Sequence, residues 1–210
     1  MARDPVLLPL GRESITRAVA VLRRGGVVAL PTDTVYGLGA HSGIVAAIEK
    51  LYQIKERERV KAIPLLLART EDLASVAEHV PEIAWRLAGR FWPGPVTLVV
   101  PKAATVLDVL TGGAPAVAVR IPAHELVLRL IAMLGAPLAT TSANISGQPE
   151  AVTAEEVRDA LGERVKLILD GGRCPGGVAS TVVDVTVDPP AIRRRGAIAN
   201  EVEAFLLKVR

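Results

Sequence analysis

The sequence is short of several residue types that would announce a chemistry. In 210 residues it holds one cysteine, Cys174, and three histidines. A lone cysteine excludes an internal disulfide, and no Cys/His group has metal-ligand spacing, so no protein-bound structural metal is expected. Cys174 sits in a Gly/Pro-rich loop and reads as incidental. His41, His79 and His124 are isolated from one another, no GxSxG elbow is present, and no catalytic triad suggests itself. The phosphate loop GxxxxGK[ST] and the dinucleotide fingerprint GxGxxG are also missing. Aromatics make up only 3%, so the core must be built from Val, Leu, Ile and Ala, and platforms for base stacking are few. No apolar run approaches the roughly 18 residues of a membrane helix. The amino-terminal MARDPVLLPLGRES is charged too early, and its apolar part is too short, for a secretory signal. The expectation is a soluble, cytoplasmic chain with no membrane partner.

Half of the residues are hydrophobic and 22% are charged, enough apolar material for the core of one sizeable domain spanning 1–210. Net charge is +3, carried by 19 Arg and 6 Lys against 22 acids. That mild excess tolerates anionic ligands without indicating nucleic acid.

Short Val/Leu runs alternate with amphipathic stretches, which predicts helices packed on a sheet. Helices are expected over 14–24, stopped by Gly25-Gly26, and over 44–53, 72–79, 81–91 and 124–134. Thr153 and Glu156 form a capping box opening another, and a short amphipathic helix closes the chain. Strands are expected at 27–30, 63–68, 96–101, 116–122 and 137–141, then at LILD, STVVDVT and AIRRRGAI. Strands outnumber simple βαβ crossovers, so the fold class is α/β (α+β), with a mixed, twisted open sheet flanked by helices.

Polar residues gather at strand ends. PTDTVYGLG sets Thr32, Asp33, Thr34 and Tyr36 after a buried strand, with Gly37 and Gly39 allowing close backbone approach or positive φ. It reads equally as a polar turn or a binding loop. IKERERVK puts Lys55, Arg57, Arg59 and Lys61 at alternate positions, which in an extended chain share one side. Such a face suits a triphosphate, although a solvated connection carrying Glu56 and Glu58 is the stronger reading of that segment alone. TTSANISGQP offers hydroxyls and an amide in a loop before a helix, groups able to hold phosphate or carboxylate oxygens. Arg120 ends an apolar strand and needs a partner, either a bound anion or a salt bridge at the sheet end. Ser180 and Thr181 enter a later strand. Arg193, Arg194 and Arg195 precede Gly196 as a solvated patch or a weak RNA contact.

Taken in order, these segments resemble one family. PTDTVYGLGA, Lys55-Glu56-Arg57, PGPVTLVV, AVRIP, TSANISGQP, ASTVVD and a basic residue before Gly-Ala-Ile are similar to the motif series of the YrdC-like threonylcarbamoyl-adenylate synthases, from about Gly25 to Ile198. The resemblance implies a YrdC-like (DHBP synthase-like) fold with a concave basic cavity. It implies Thr34, Arg120, Thr140 and Ser180 on a threonine side, and Lys55, Arg57, Lys61, Ser142, Asn144 and Arg194 on an ATP side. Lys55, Arg57, Ser142 and Asn144 would then carry the catalysis. Arg194 is preferred to Arg195 because the family arginine lies two residues before the glycine. Two positions depart from the pattern: Glu58 stands where proline usually follows KxR, and Ala68 where some relatives carry histidine. The chain ends soon after the core and so resembles the short form without an extra carboxy-terminal domain.

The implied reaction joins threonine, bicarbonate or CO₂, and ATP with Mg²⁺ into threonylcarbamoyl-AMP and pyrophosphate. That product serves threonylcarbamoyladenosine formation next to the tRNA anticodon. The implied partners are the downstream tRNA threonylcarbamoyl-transfer machinery and, weakly, tRNA or double-stranded RNA. No general base is evident, Asp33 being the only acid near the motifs. Two rival readings are an RNA-binding module, which predicts salt-sensitive binding without turnover, and a carbamoyl-transfer enzyme, which would need accessory domains.

Overall fold

Side chains alternate across a strand, so a run such as VVAL can be apolar throughout only if both faces of its sheet are covered. Val27–Leu30 is buried at all four positions, and the structure supplies the two covering layers. The computed structural model describes residues 5–209; the first four residues of the amino-terminal segment lie outside them. In chain order the elements are β1 (Val6–Pro9), α1 (Arg12–Arg23), β2 (Val27–Leu30), β3 (Gly37–His41), α2 (Val45–Lys55) and β4 (Leu65–Leu66). There follow α3 (Leu73–Val76), α4 (Glu82–Phe91), β5 (Val96–Pro101), α5 (Asp108–Thr111), β6 (Ala116–Arg120) and α6 (Glu125–Leu134). The chain continues with β7 (Leu138–Ser142), α7 (Ala154–Leu161), β8 (Leu167–Asp170), β9 (Thr181–Asp184), β10 (Ala191–Arg194) and α8 (Ala199–Lys208).

The ten strands form one open sheet in the order β1-β8-β2-β3-β7-β4-β6-β5-β9-β10. Four neighbouring pairs are parallel and five antiparallel, so the expected mixed sheet flanked by helices is the one observed. One face carries Ala29, Leu38, Leu65, Leu98, Val119 and Val183 against Leu51 of α2, Leu87 of α4, Val157 of α7 and Val202 of α8. The opposite face carries Val28, Leu30, Leu138 and Leu167 against Ile15 and Leu22 of α1 and Leu130 of α6.

Several expectations need correction. β1 and β3 were not foreseen, and β3 (Gly37–His41) begins inside the segment read as a polar turn or binding loop. The strand expected over 63–68 pairs only at Leu65 and Leu66, because Pro64 brings no N–H to a ladder; its carbonyl instead accepts from Thr140 N at 2.8 Å. Over 72–79 the α-helix is limited to Leu73–Val76. At α7, Thr153 Oγ1 accepts from Glu156 N at 3.2 Å, but the Glu156 carboxylate reaches back to Val152 N rather than to the cap residue itself. The alternation proposed for IKERERVK fails outright. Lys55 is the last residue of α2 and Glu56 turns the chain with φ +51°, so the four cations do not share a side.

Gly37 and Gly39 have ordinary strand φ values and serve close approach. A Cβ on Gly37 would stand 2.8 Å from Thr140 Cγ2, and one on Gly39 would stand 2.9 Å from Leu138 Cδ2. Gly37→Ala should therefore lower stability. Overpacking costs about 1–3 kcal/mol, which outweighs the roughly 0.5–1 kcal/mol that alanine would otherwise return in chain entropy. Urea denaturation measures it, and an unchanged or raised midpoint would refute the packing role.

Candidate functional site

Helices α1 and α6 cover their face from β1 as far as Leu66 of β4. Beyond them the same face continues through Thr140 and Ser142 of β7, Ala118 of β6, Thr97 of β5 and Val182 of β9, a set fixed by the register. These residues line a cavity of about 270 Å³. A roomier hollow of about 400 Å³ lies beside Leu67–Asp72 and the carboxy-terminal end of α6. It holds none of the motif residues, and its Arg69 and Asp72 are already paired at 3.2 Å. The motif residues belong to the smaller cavity.

One wall is anchored from beneath by Lys55, only 2% exposed. Its ammonium donates to Ser142 O at 2.6 Å, Asn144 O at 2.8 Å and Asn144 Oδ1 at 2.8 Å. Ser142 Oγ donates to the same Asn144 Oδ1 at 2.7 Å, and Asn144 Nδ2 to Gln148 O at 2.6 Å. The loop after β7 is thereby tied to the end of α2. No carboxylate pairs with Lys55 among the described residues. Burial, and then the neighbouring Arg57, bring its pKa down to about 8.

A second anchor lies behind Thr32. Arg120, 6% exposed, donates to Gly94 O at 2.9 Å and Thr34 Oγ1 at 2.9 Å, and pairs with Asp33 Oδ1 at 2.5 Å. The salt bridge considered for Arg120 is thus present, with Asp33 as its partner. Thr34 is buried in the same cluster, its hydroxyl 2.9 Å from that of Thr32.

On the far side, Arg194 Nε donates to Ser180 O and its NH2 to Ser180 Oγ, both at 3.0 Å, while Ser180 Oγ meets Thr97 Oγ1 at 2.7 Å. The arginine triplet divides because it lies in and just beyond a strand. Arg193 turns to Asp184, Arg195 to Asn200 and Glu203, and only Arg194 reaches the cavity. Across from it Arg57 is held by Lys61 O at 3.1 Å and Ala62 O at 2.9 Å. Burial lowers the Arg57 pKa, and the like charge of Arg194 acts in the same direction; neither guanidinium forms an ion pair with a carboxylate among the described residues.

Of the ten site residues that the resemblance implies, Arg57, Thr140, Ser142, Ser180 and Arg194 line the cavity, as do Thr32, Tyr36 and Gly37 of the PTDTVYGLG segment. Lys55 and Asn144 support its wall, and Thr34 and Arg120 lie behind it. Lys61 is exposed and pairs with Glu58 at 3.0 Å, while Arg59 pairs with Glu49. Sequence reasoning passed over Thr97 and Glu150, which also line the cavity. Thr97 is the one polar residue interrupting VTLVV, and Glu150 is the first acid after the TSANISGQP motif. Those were the available signals.

A family model described as telomere recombination, covering Sua5, YciO and YrdC, matches residues 20–196. Among curated proteins the chain is 42% identical to a threonylcarbamoyl-AMP synthase of Pyrococcus abyssi, over 92% of its own length and 57% of that protein's. It is 41% identical to the threonylcarbamoyl-AMP synthase of Bacillus subtilis, over 91% and 56%. The chain thus spans little more than half the length of these two relatives. Among solved structures, P. abyssi Sua5 complexed with L-threonine superposes with a TM-score of 0.91 at 40% identity, covering 97% of this chain and 60% of that one.

Lys55→Met retains bulk but leaves two buried carbonyls and an amide oxygen short of a donor. Each unsatisfied group costs about 1–3 kcal/mol, so chemical denaturation should show a loss of at least about 2 kcal/mol. A variant as stable as the parent would mean that the ammonium does not hold the loop.

Proposed function

The chain belongs to the Sua5, YciO and YrdC family, and from that premise we propose that it is a threonylcarbamoyl-AMP synthase. Its substrates would be L-threonine, bicarbonate or dissolved CO₂, and ATP; its second product would be pyrophosphate. The observation that carries this reading is the convergence of Arg57, Thr140, Ser142, Ser180 and Arg194 on one cavity from four separate segments. An open space with two guanidiniums and several hydroxyls suits a polyanion and a small polar acid together.

In the proposed reaction the threonine amine becomes a carbamate, and a carbamate oxygen attacks the α-phosphorus of ATP. The bond from that phosphorus to the bridging oxygen breaks, and pyrophosphate leaves. Little covalent work falls to the protein, which positions the reactants and stabilises charge. Arg57 and Arg194 would hold phosphate oxygens. Ser142 Oγ would contact them too, its position fixed by Asn144 and by the buried charge of Lys55. Lys61 would have to leave Glu58 to join them. Thr140 and Ser180 present hydroxyls toward the amino acid, while Thr34 and Arg120 act from behind, by fixing the wall around Thr32.

Mg²⁺ would enter with ATP as part of the substrate. The described residues include no group of three or more His, Cys, Asp or Glu side chains suited to a metal. Phosphate oxygens and water would supply most of the ligands of such an ion. The mixed anhydride is reactive and would pass to the machinery that modifies tRNA. No helix among the described residues is long and apolar enough to cross a membrane. The proposed location is the cytoplasm, on the ground that the proposed product serves tRNA modification.

The purified chain with Mg–ATP should release pyrophosphate only when threonine and bicarbonate are both present. Arg57→Ala and Ser142→Ala proteins that remain folded should lose about 10²-fold in rate, the scale of removing one donor to developing charge. A folded parent chain without turnover, yet binding RNA tightly at low salt, would replace this reading with that of an RNA-binding module.

A further inference from the structure

Thr97 Oγ1 and Ser180 Oγ lie 2.7 Å apart in the cavity wall, and both residues are almost wholly buried. A hydroxyl has one hydrogen to give and can accept two. Ser180 Oγ also accepts from Arg194 NH2 at 3.0 Å, and neither hydroxyl has any other partner among the described residues. One of the pair's two hydrogens is used in their mutual bond. The other finds no acceptor in the wall, whichever oxygen carries it. The threonine pair behind the wall behaves differently. Thr34 donates to Thr32 Oγ1 at 2.9 Å and Thr32 to Val35 O at 2.7 Å, so there the count closes. A buried donor without an acceptor is costly, and one facing a cavity is placed to meet an acceptor carried in by a ligand. The direction of the chain follows from Arg194. A charged donor on Ser180 Oγ strengthens that hydroxyl as a donor and weakens it as a further acceptor. The bonds therefore run from Arg194 to Ser180 to Thr97, and the spare hydrogen is that of Thr97. Polarised by a guanidinium, it suits an anionic oxygen.

We propose that Thr97 donates this hydrogen to a carboxylate-type oxygen of the bound reactants, as a binding residue beside Ser180. The proposal deepens the synthase reading and rests on it. Under that reading Ser180 faces the amino acid and Arg194 the phosphates, so the hydrogen of Thr97 lies at the seam between them. Two oxygens of the right kind arrive there: that of the amino acid's own carboxylate, and that of the carboxylate which bicarbonate contributes to the carbamate. Arg194 keeps its part toward phosphate, because its NH1 donates to none of the described residues. The donor is rigidly held. Arg194 grips Ser180 by two bonds of 3.0 Å, Thr181 N donates to Pro95 O at 2.9 Å, and Thr97 pairs with Val182 across β5 and β9.

The test compares the parent chain with Thr97→Val, which keeps a branched shape suited to a strand and loses the hydroxyl, and with Thr97→Ser, which keeps the hydroxyl. Calorimetry follows L-threonine binding without bicarbonate, and pyrophosphate release at saturating threonine follows the KM for bicarbonate. In Thr97→Val at least one of the two should weaken about 10-fold, the scale of one hydrogen bond to a charged group. Thr97→Ser should recover most of that loss, and Mg–ATP affinity should stay within about twofold of the parent's. Weakened threonine affinity identifies the amino acid's own carboxylate. L-Threoninol, with CH₂OH in place of that carboxylate, should then bind parent and Thr97→Val alike, and an equal loss for threoninol would overturn the role. A raised KM for bicarbonate beside parent-like threonine affinity identifies the carboxylate that bicarbonate supplies. Parent-like values for both reactants, a loss confined to Mg–ATP, or no recovery in a folded Thr97→Ser would each overturn the proposal. Should Thr97→Val fail to fold, Thr97→Ala carries the same expectations. A working parent beside an equally working Thr97→Val removes Thr97 alone. A folded parent chain that neither binds threonine nor releases pyrophosphate removes the synthase reading and this proposal together.

Discussion

A buried ammonium without a carboxylate partner is the constraint on which the site's geometry rests. Lys55 lies at the end of α2, is almost wholly buried and satisfies its three protons on oxygens of Ser142 and Asn144. Removing a charge from water is costly unless several good acceptors replace the water. The loop after β7 therefore has few conformations in which the folded chain is stable. The same arrangement leaves the positive charge uncancelled just beneath Ser142, where it contributes to the field in the cavity.

Where the cavity lies is decided by coverage. A ten-stranded sheet needs helices on both faces, and on one face α1 and α6 shield only half of it. On the unshielded half Thr97, Ala118, Thr140, Ser142 and Val182 line the cavity beside Leu66, so hydroxyls interrupt a face that is leucine-rich beneath the helices. The binding surface is thus the sheet itself, presented by strands whose opposite face is locked into the main core. Rigidity and accessibility come from the same strands, through residues one position apart.

Much of this was legible in the sequence. Apolar runs located most strands, and their excess over helices indicated a mixed sheet. Five of the ten site residues that the motif resemblance implies line the cavity. What was illegible depended on tertiary partners. GLGAH lacks the β-branched residues that mark a strand, and it pairs because Gly37 and Gly39 let Thr140 and Leu138 come close. The cations of IKERERVK looked equivalent until the left-handed turn at Glu56 separated a buried lysine, a cavity arginine and two surface ion pairs. The pairing of Asp33 with Arg120 spans 87 positions, beyond the reach of any local pattern.

The residues around the cavity run from Thr32 to Arg194, and the parallel β5–β9 pairing joins stretches far apart in the chain. No fragment short of nearly the whole sheet possesses the site. Such non-local closure is slow to form, and it makes occupancy and folding a single equilibrium. A ligand filling this space would bind only the completed sheet, and so would stabilise the entire sheet in proportion to the logarithm of its own concentration.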